Sequence, residues 1–131
     1  MTVVLDTNYF ISCIGKKSPY RNVFDAFLEQ QYTLCVSSEM LLEYEEKFSE
    51  FWGTEVTHNL LGVLLTAENT SFYAIYYNFH LVEGDTDDNK FSDTYLSAAA
   101  DLLVTNDRQL LALRNNDFPP ISAITLEQFL N

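Results

Sequence analysis

Four short apolar-rich runs punctuate the chain: Val3-Val4-Leu5, Tyr32 to Val36, Leu102-Leu103-Val104 and Ile121 to Ile124. Each is too short for a helix and reads as a strand buried on both faces. Between them, apolar residues recur at helical spacing. Thr7 and Asn8 offer capping chemistry ahead of Tyr9, Phe10 and Ile11, which predicts a first helix. Val23, Phe24, Phe27 and Leu28 predict an amphipathic helix over 19–30, and Met40, Leu41 and Tyr44 form the stripe of a helix capped by Ser37 and Ser38. Val56, Leu60, Val63, Leu64 and Ala67 predict another over 54–68. Residues 70–79 are aromatic-rich and read as a helix running into a short strand near 79–82, with their rings in the core. After an acidic turn at 85–89 come a helix carrying Tyr95, Ala98 and Ala99, a short helix at 110–114, a Pro119-Pro120 turn and a last helix near 126–130.

Strands and helices alternate in this order. Alternation implies an α/β chain with a mostly parallel sheet of about five strands, covered on both faces. No repeat, linker or low-complexity stretch divides it, so residues 1–131 read as a single domain.

Composition adds further constraints. A hydrophobic content of 47% argues for a packed core and against disorder. No apolar stretch approaches the ~18–20 residues needed to span a bilayer, and the N-terminus lacks the basic, then apolar, layout of a secretory signal. Two cysteines, Cys13 and Cys35, are too few for a disulfide framework or a zinc cage and read as reduced core thiols. A cytoplasmic protein without membrane contact is the expectation. The net charge of −12 disfavours general coating of nucleic acid, which needs positive surface against the phosphates. It is compatible with acidic groups that hold divalent cations, or with a basic protein partner.

The candidate chemistry is carboxylate. Asp6 ends the first strand, Glu43 lies in the helix after the second, and Asp107 follows strand 102–104. In an open parallel sheet, ligands bind at the carboxyl ends of strands. Asp88 stands near a helix start where the same edge is within reach. Gathering like charges raises their pKa values and costs stability, which a divalent cation offsets. A set of oxygen ligands without a His or Cys cluster suits Mg²⁺ or Mn²⁺ far better than Zn²⁺.

Each residue also has a plainer reading. Asp6 and Asp107 could simply cap helices, and Glu43 could pair with Lys47 at i, i+4. Asp85 to Asp88 could be a solvated turn. It resembles a calcium-binding loop only superficially, because Lys90 stands at the glycine position and Leu96 at the closing glutamate. His58 and His80 have no acidic or Cys partner at motif spacing, so no histidine base is expected. Four coincidences on one sheet edge favour a metal site.

The motifs together resemble the PIN-domain family. Val3-Val4-Leu5-Asp6-Thr7-Asn8 resembles its opening motif, and Val104-Thr105-Asn106-Asp107 its late motif. Asp85-Thr86-Asp87-Asp88-Asn89-Lys90-Phe91, followed by Ala98-Ala99-Ala100-Asp101, is similar to a PIN branch of toxin–antitoxin components. Leu42-Glu43-Tyr44 fits the helix carboxylate. The similarity runs from residue 2 to Phe129. It implies a three-layer α/β/α fold, a Mg²⁺ or Mn²⁺ site and hydrolysis of RNA phosphodiester bonds. Carried over residue by residue, it assigns Asp6, Glu43, Asp88 and Asp107 as metal-binding and catalytic groups.

Within the acidic segment, Asp85, Asp87 and Asp93 compete with Asp88, and Asn89 stands where some relatives carry Asp. On a helix, Asp88 and Asp93 would point roughly 140° apart. Asp88 shares a face with Ser92, Tyr95 and Ala99, which favours it, and Asp93 is expected at the solvent rim. Thr7, Asn8, Lys16, Lys17, Lys90, Thr105, Asn106 and Arg108 are candidate substrate contacts, with Arg21 nearby. The resemblance implies an RNA substrate and a cognate antitoxin, and a homodimer is compatible with it. A catalytically weak binding module for a basic protein is the alternative. A phosphatase of the haloacid-dehalogenase type would want a second acid two positions after Asp6, where this chain has Asn8.

Overall fold

The apolar runs form a parallel sheet. The computed structural model describes residues 1–84 and 86–130, with strands β1 (Thr2–Leu5), β2 (Thr33–Val36), β3 (Thr70–Phe72), β4 (Leu102–Val104) and β5 (Ala123–Ile124). They lie in the order β3-β2-β1-β4-β5, and every neighbouring pair is parallel. Val3, Val4 and Leu5 are consecutive and all buried, so both faces of the central strand are covered.

The cover comes from α1 (Thr7–Ile14), α2 (Arg21–Leu28), α3 (Ser38–Trp52), α4 (Thr54–Thr66), α5 (Asn89–Ala98), α6 (Arg108–Leu111) and α7 (Leu126–Leu130). The result is the α/β/α arrangement expected from the sequence. Helix α5 packs across β1, β2 and β4. Phe10 of α1 meets Tyr44 and Phe48 of α3 edge-on at 5.4 and 5.9 Å, and Tyr44 stacks on Phe48 at 5.5 Å. Such ring pairs add to what their buried area contributes. Gly53, at φ +87°, lets α4 fold back on α3 in a conformation that would strain any residue with a Cβ.

Two segments differ from the reading of the sequence. Residues 70–79 are not a helix. Thr70–Phe72 pair in parallel with Leu34–Val36 as an edge strand, and 73–82 continue as an irregular strap. The strap is fastened by side chains from α5. Asp93 Oδ1 accepts the Phe79 amide at 3.0 Å, while the Asn89 side chain accepts from the Val82 N–H at 2.8 Å and donates to its carbonyl at 3.1 Å. The rings expected in the core are mostly outside it: Phe72, Tyr76, Tyr77 and Phe79 are exposed, Tyr76 by 93%. Asp93, expected at the solvent rim, is only 2% exposed because the strap lies over it.

Cys13 and Cys35 are buried free thiols. Among the described residues, no helix is long and apolar enough to cross a membrane.

The chain runs outward from β1 through β2 to β3, then returns to lay β4 on the other side of β1. Connections therefore leave the ends of β1 and β4 in opposite directions. That switch point is where open parallel sheets form a crevice.

Candidate functional site

Asp6 and Thr105 are the first residues beyond β1 and β4, side by side at this crevice. The Asp6 amide donates to the Val104 carbonyl at 3.1 Å, extending the register Leu5–Val104 by one step. The Thr105 hydroxyl donates to Asp6 Oδ2 at 2.8 Å, and its oxygen accepts the Asp107 amide at 3.0 Å. One buried threonine thus holds both aspartates.

Both aspartates also cap helices, as the plainer reading anticipated. Asp6 Oδ1 accepts the Asn8 amide at 3.3 Å at the head of α1. Asp107 Oδ1 accepts the Gln109 and Leu110 amides at 2.9 and 3.1 Å at the head of α6. Capping accounts for one oxygen of each. It does not account for burying Asp6, which is 2% exposed. Burial pushes its carboxyl up from 3.8 to about 6; the bonds from Thr105 and Asn8 oppose this, and the fields of Glu43 and Asp107 add to it.

The same fields map the cluster. The Tyr9 hydroxyl is raised first by burial, then by the charges of Asp6, Asp107 and Asp88. Tyr44, wholly buried, is raised well above its ordinary value by burial and then by Asp6, with Glu43 contributing. All four carboxylates therefore act on one neighbourhood around Asp6 and Tyr9.

Glu43 does not pair with Lys47, which lies 3.8 Å from Glu50 instead. Its carboxylate meets the Lys90 ammonium in a direct ion pair, with Asp87 Oδ1 3.6 Å from the same ammonium. Burial works against the charge on Lys90, but the bond to Glu43 and the charges of Glu43 and Asp87 outweigh it and raise its pKa. Asp88 ends a 3-10 turn (Thr86–Asp88) at the head of α5 and is half-buried. Asp85 lies outside the described residues.

The candidate substrate contacts fall into two groups. Lys16, Lys17, Asn8 and Arg108 are exposed. Thr7 and Thr105 are fully buried, Asn106 accepts the Leu126 amide at 3.0 Å, and Lys90 is turned inward to Glu43. Arg21 is engaged by Asp25 at 2.9 Å. Reading the sequence missed the positioning role of Thr105. Its placement directly before Asn106-Asp107, beside the end of β1, was the available signal.

Among the described residues, no three His, Cys, Asp or Glu side chains already form a metal cage. The donor chemistry nevertheless fits a hard divalent cation. It is all carboxylate oxygen, and an aspartate raised first by burial and then by its acidic neighbours is relieved by added positive charge.

Comparison with known proteins agrees with this fold. The family model described as PIN domain matches residues 2–109, and the chain belongs to the PIN-domain family, whose members are generally nucleases. No curated protein matches the sequence. Among solved structures, VapBC2 from Rickettsia felis bound to a DNA fragment from its promoter is similar over 95% of this chain and 98% of that one, at 17% identity and a TM-score of 0.62. DNA-bound VapBC from Salmonella typhimurium is similar over 96% and 98%, at 16% identity and a TM-score of 0.63. At these identities the likeness is one of fold.

Proposed function

We propose that this PIN-domain protein is a Mg²⁺- or Mn²⁺-dependent endoribonuclease that serves as the toxin of a toxin–antitoxin pair in the cytoplasm. The observation that carries the reading is Asp6 at the sheet's switch point, its charge opposed chiefly by burial and further by Glu43 and Asp107. A stable fold gains nothing from such a group, so the cost points to use.

In this reading, Asp6, Asp88 and Asp107 supply oxygen ligands, and Glu43 completes the acidic wall. A divalent ion held there would activate water and stabilise charge on a phosphate. Thr105 keeps Asp6 Oδ2 in place, while the helix-head amides of α6 fix Asp107 Oδ1. Exposed Lys16, Lys17 and Arg108 give the otherwise acidic chain local positive charge to meet an RNA backbone.

The test is cleavage of single-stranded RNA with and without Mg²⁺. The wild-type chain should cut only with the ion, and Asp6→Asn or Asp107→Asn should abolish cutting while circular dichroism stays unchanged. Full activity in either variant refutes the assignment.

A second reading has its own support. The chain carries −12, and α3 and α4 leave an apolar groove between Leu41, Leu42, Leu61 and Leu65. That surface suits a basic, amphipathic protein segment, the chemistry a cognate antitoxin would offer. A binding module without catalysis would use this groove and show no Mn²⁺ uptake by calorimetry.

A further inference from the structure

The Lys90–Glu43 pair lies within the acidic cluster, and its two side chains are only 15% and 13% exposed. A surface lysine pair contributes little, but a covered pair is weakly screened, and losing one partner strands the other charge. Lys90 comes from α5 and Glu43 from α3, 47 residues apart, so neither helix pairs them by local spacing. The ammonium also stands 5.9 Å from the centre of the Phe91 ring and 3.6 Å from Asp87 Oδ1. Contacts on several sides fix a point of positive charge against one wall of the cluster.

The pairing has a consequence for metal uptake. Against the four carboxylates Asp6, Glu43, Asp88 and Asp107, Lys90 with two divalent ions would leave one positive charge in excess, and with one ion one negative charge, so charge alone does not set the number of ions. The contact does: Glu43 is engaged by the lysine, which leaves the three aspartates as oxygen donors, a set suited to one ion whose shell is completed by water.

We propose that Lys90 is a tethered cation standing where a second metal ion would bind. The centre then takes a single divalent ion, from the Asp6–Asp107 side, and Glu43 faces the lysine rather than the ion. Lys90 is a positioning residue for Glu43 and a fixed positive charge in the wall of the cluster. This rests on the metal-dependent reading given above.

The experiment is a Mn²⁺ titration of the full chain, followed by electron paramagnetic resonance and calorimetry without RNA. The wild type should bind one Mn²⁺ per chain. Lys90→Met should bind two, because Glu43 is released, and Lys90→Arg should again bind one. Glu43→Gln supplies a second measure that does not depend on Lys90→Met folding. It should leave the affinity of the single ion within about threefold, whereas losing a direct ligand or its support lowers affinity about tenfold or more. Two ions in the wild type, one ion in folded Lys90→Met, or a tenfold loss in Glu43→Gln each overturn the proposal and leave the nuclease reading standing. No Mn²⁺ uptake by the wild type overturns both.

Discussion

The Tyr44 hydroxyl donates to the Leu5 carbonyl at 2.7 Å inside the core. This bond ties α3 to the end of β1, and the residues next to its partners are Glu43 and Asp6. Two walls of the acidic cluster are thus joined by one buried phenol. Tyr44→Phe keeps the ring and its stacking on Phe48 but deprives a buried carbonyl of its donor. Stability should fall by about 1–2 kcal/mol, read as a lower urea midpoint at unchanged slope. An unchanged midpoint would show that the bond contributes nothing.

Asp6 makes stability depend on pH with a definite sign. Its folded pKa, about 6, lies above the ordinary 3.8, so the folded chain holds a proton that the unfolded chain has already lost. Stability should therefore decline as pH rises from about 4 to 6 and stay lowered above that. The cost is on the order of 3 kcal/mol at neutral pH without divalent cations. Asp6→Asn should be more stable than the wild type at pH 7.5, with the gap closing at pH 4. Equal gaps at the two pH values would contradict the assignment.

The strap 73–82 should depend on Asp93. Burial raises this carboxyl, with the Phe79 amide and His80 opposing and Glu39 adding to the rise. Asp93→Ala should expose the Phe79 amide to hydrogen exchange and open the strap to protease near Tyr76 and Tyr77, while the sheet keeps its protection. Asp93→Asn retains an acceptor and should stay close to wild type. Unchanged exchange in the alanine variant would mean that the strap is held by other contacts.

Helix α5 ends on Ala99 in a left-handed conformation, φ 49° and ψ 47°. Glycine adopts this without steric cost, so Ala99→Gly should raise stability by about 0.5–1 kcal/mol. A thermal melt should shift upward by a few degrees. A downward shift would indicate that the methyl group packs usefully.

What could be read from the sequence was what local chemistry decides. Val3–Leu5, Leu34–Val36 and Leu103–Val104 are strands because a short run buried on both faces has few other uses. Asp6 and Asp107 stood out because a strand end followed by capping chemistry has a recognisable pattern. The 70–82 region departs from its local pattern because its conformation comes from β2 and from Asn89 and Asp93, which lie outside it in the chain. The angle that turned Asp93 outward assumed one helix from Asp88 onward. Asp88 instead closes a 3-10 turn, where that angle does not apply. Asn89 looked like a substituted acid and is a two-way amide clasp on Val82. Nothing in the local sequence links Lys90 to Glu43, since their contact depends on how α5 and α3 pack.

The pairing of β1 with β4 also bears on synthesis. Asp6 leaves the ribosome well before its hydroxyl partner Thr105, which is 99 residues behind it. No nascent fragment that stops before Thr105 can assemble the Asp6–Thr105–Asp107 unit, however well its earlier helices form. A product truncated before that point lacks Asp107 and the hydroxyl that holds Asp6 Oδ2.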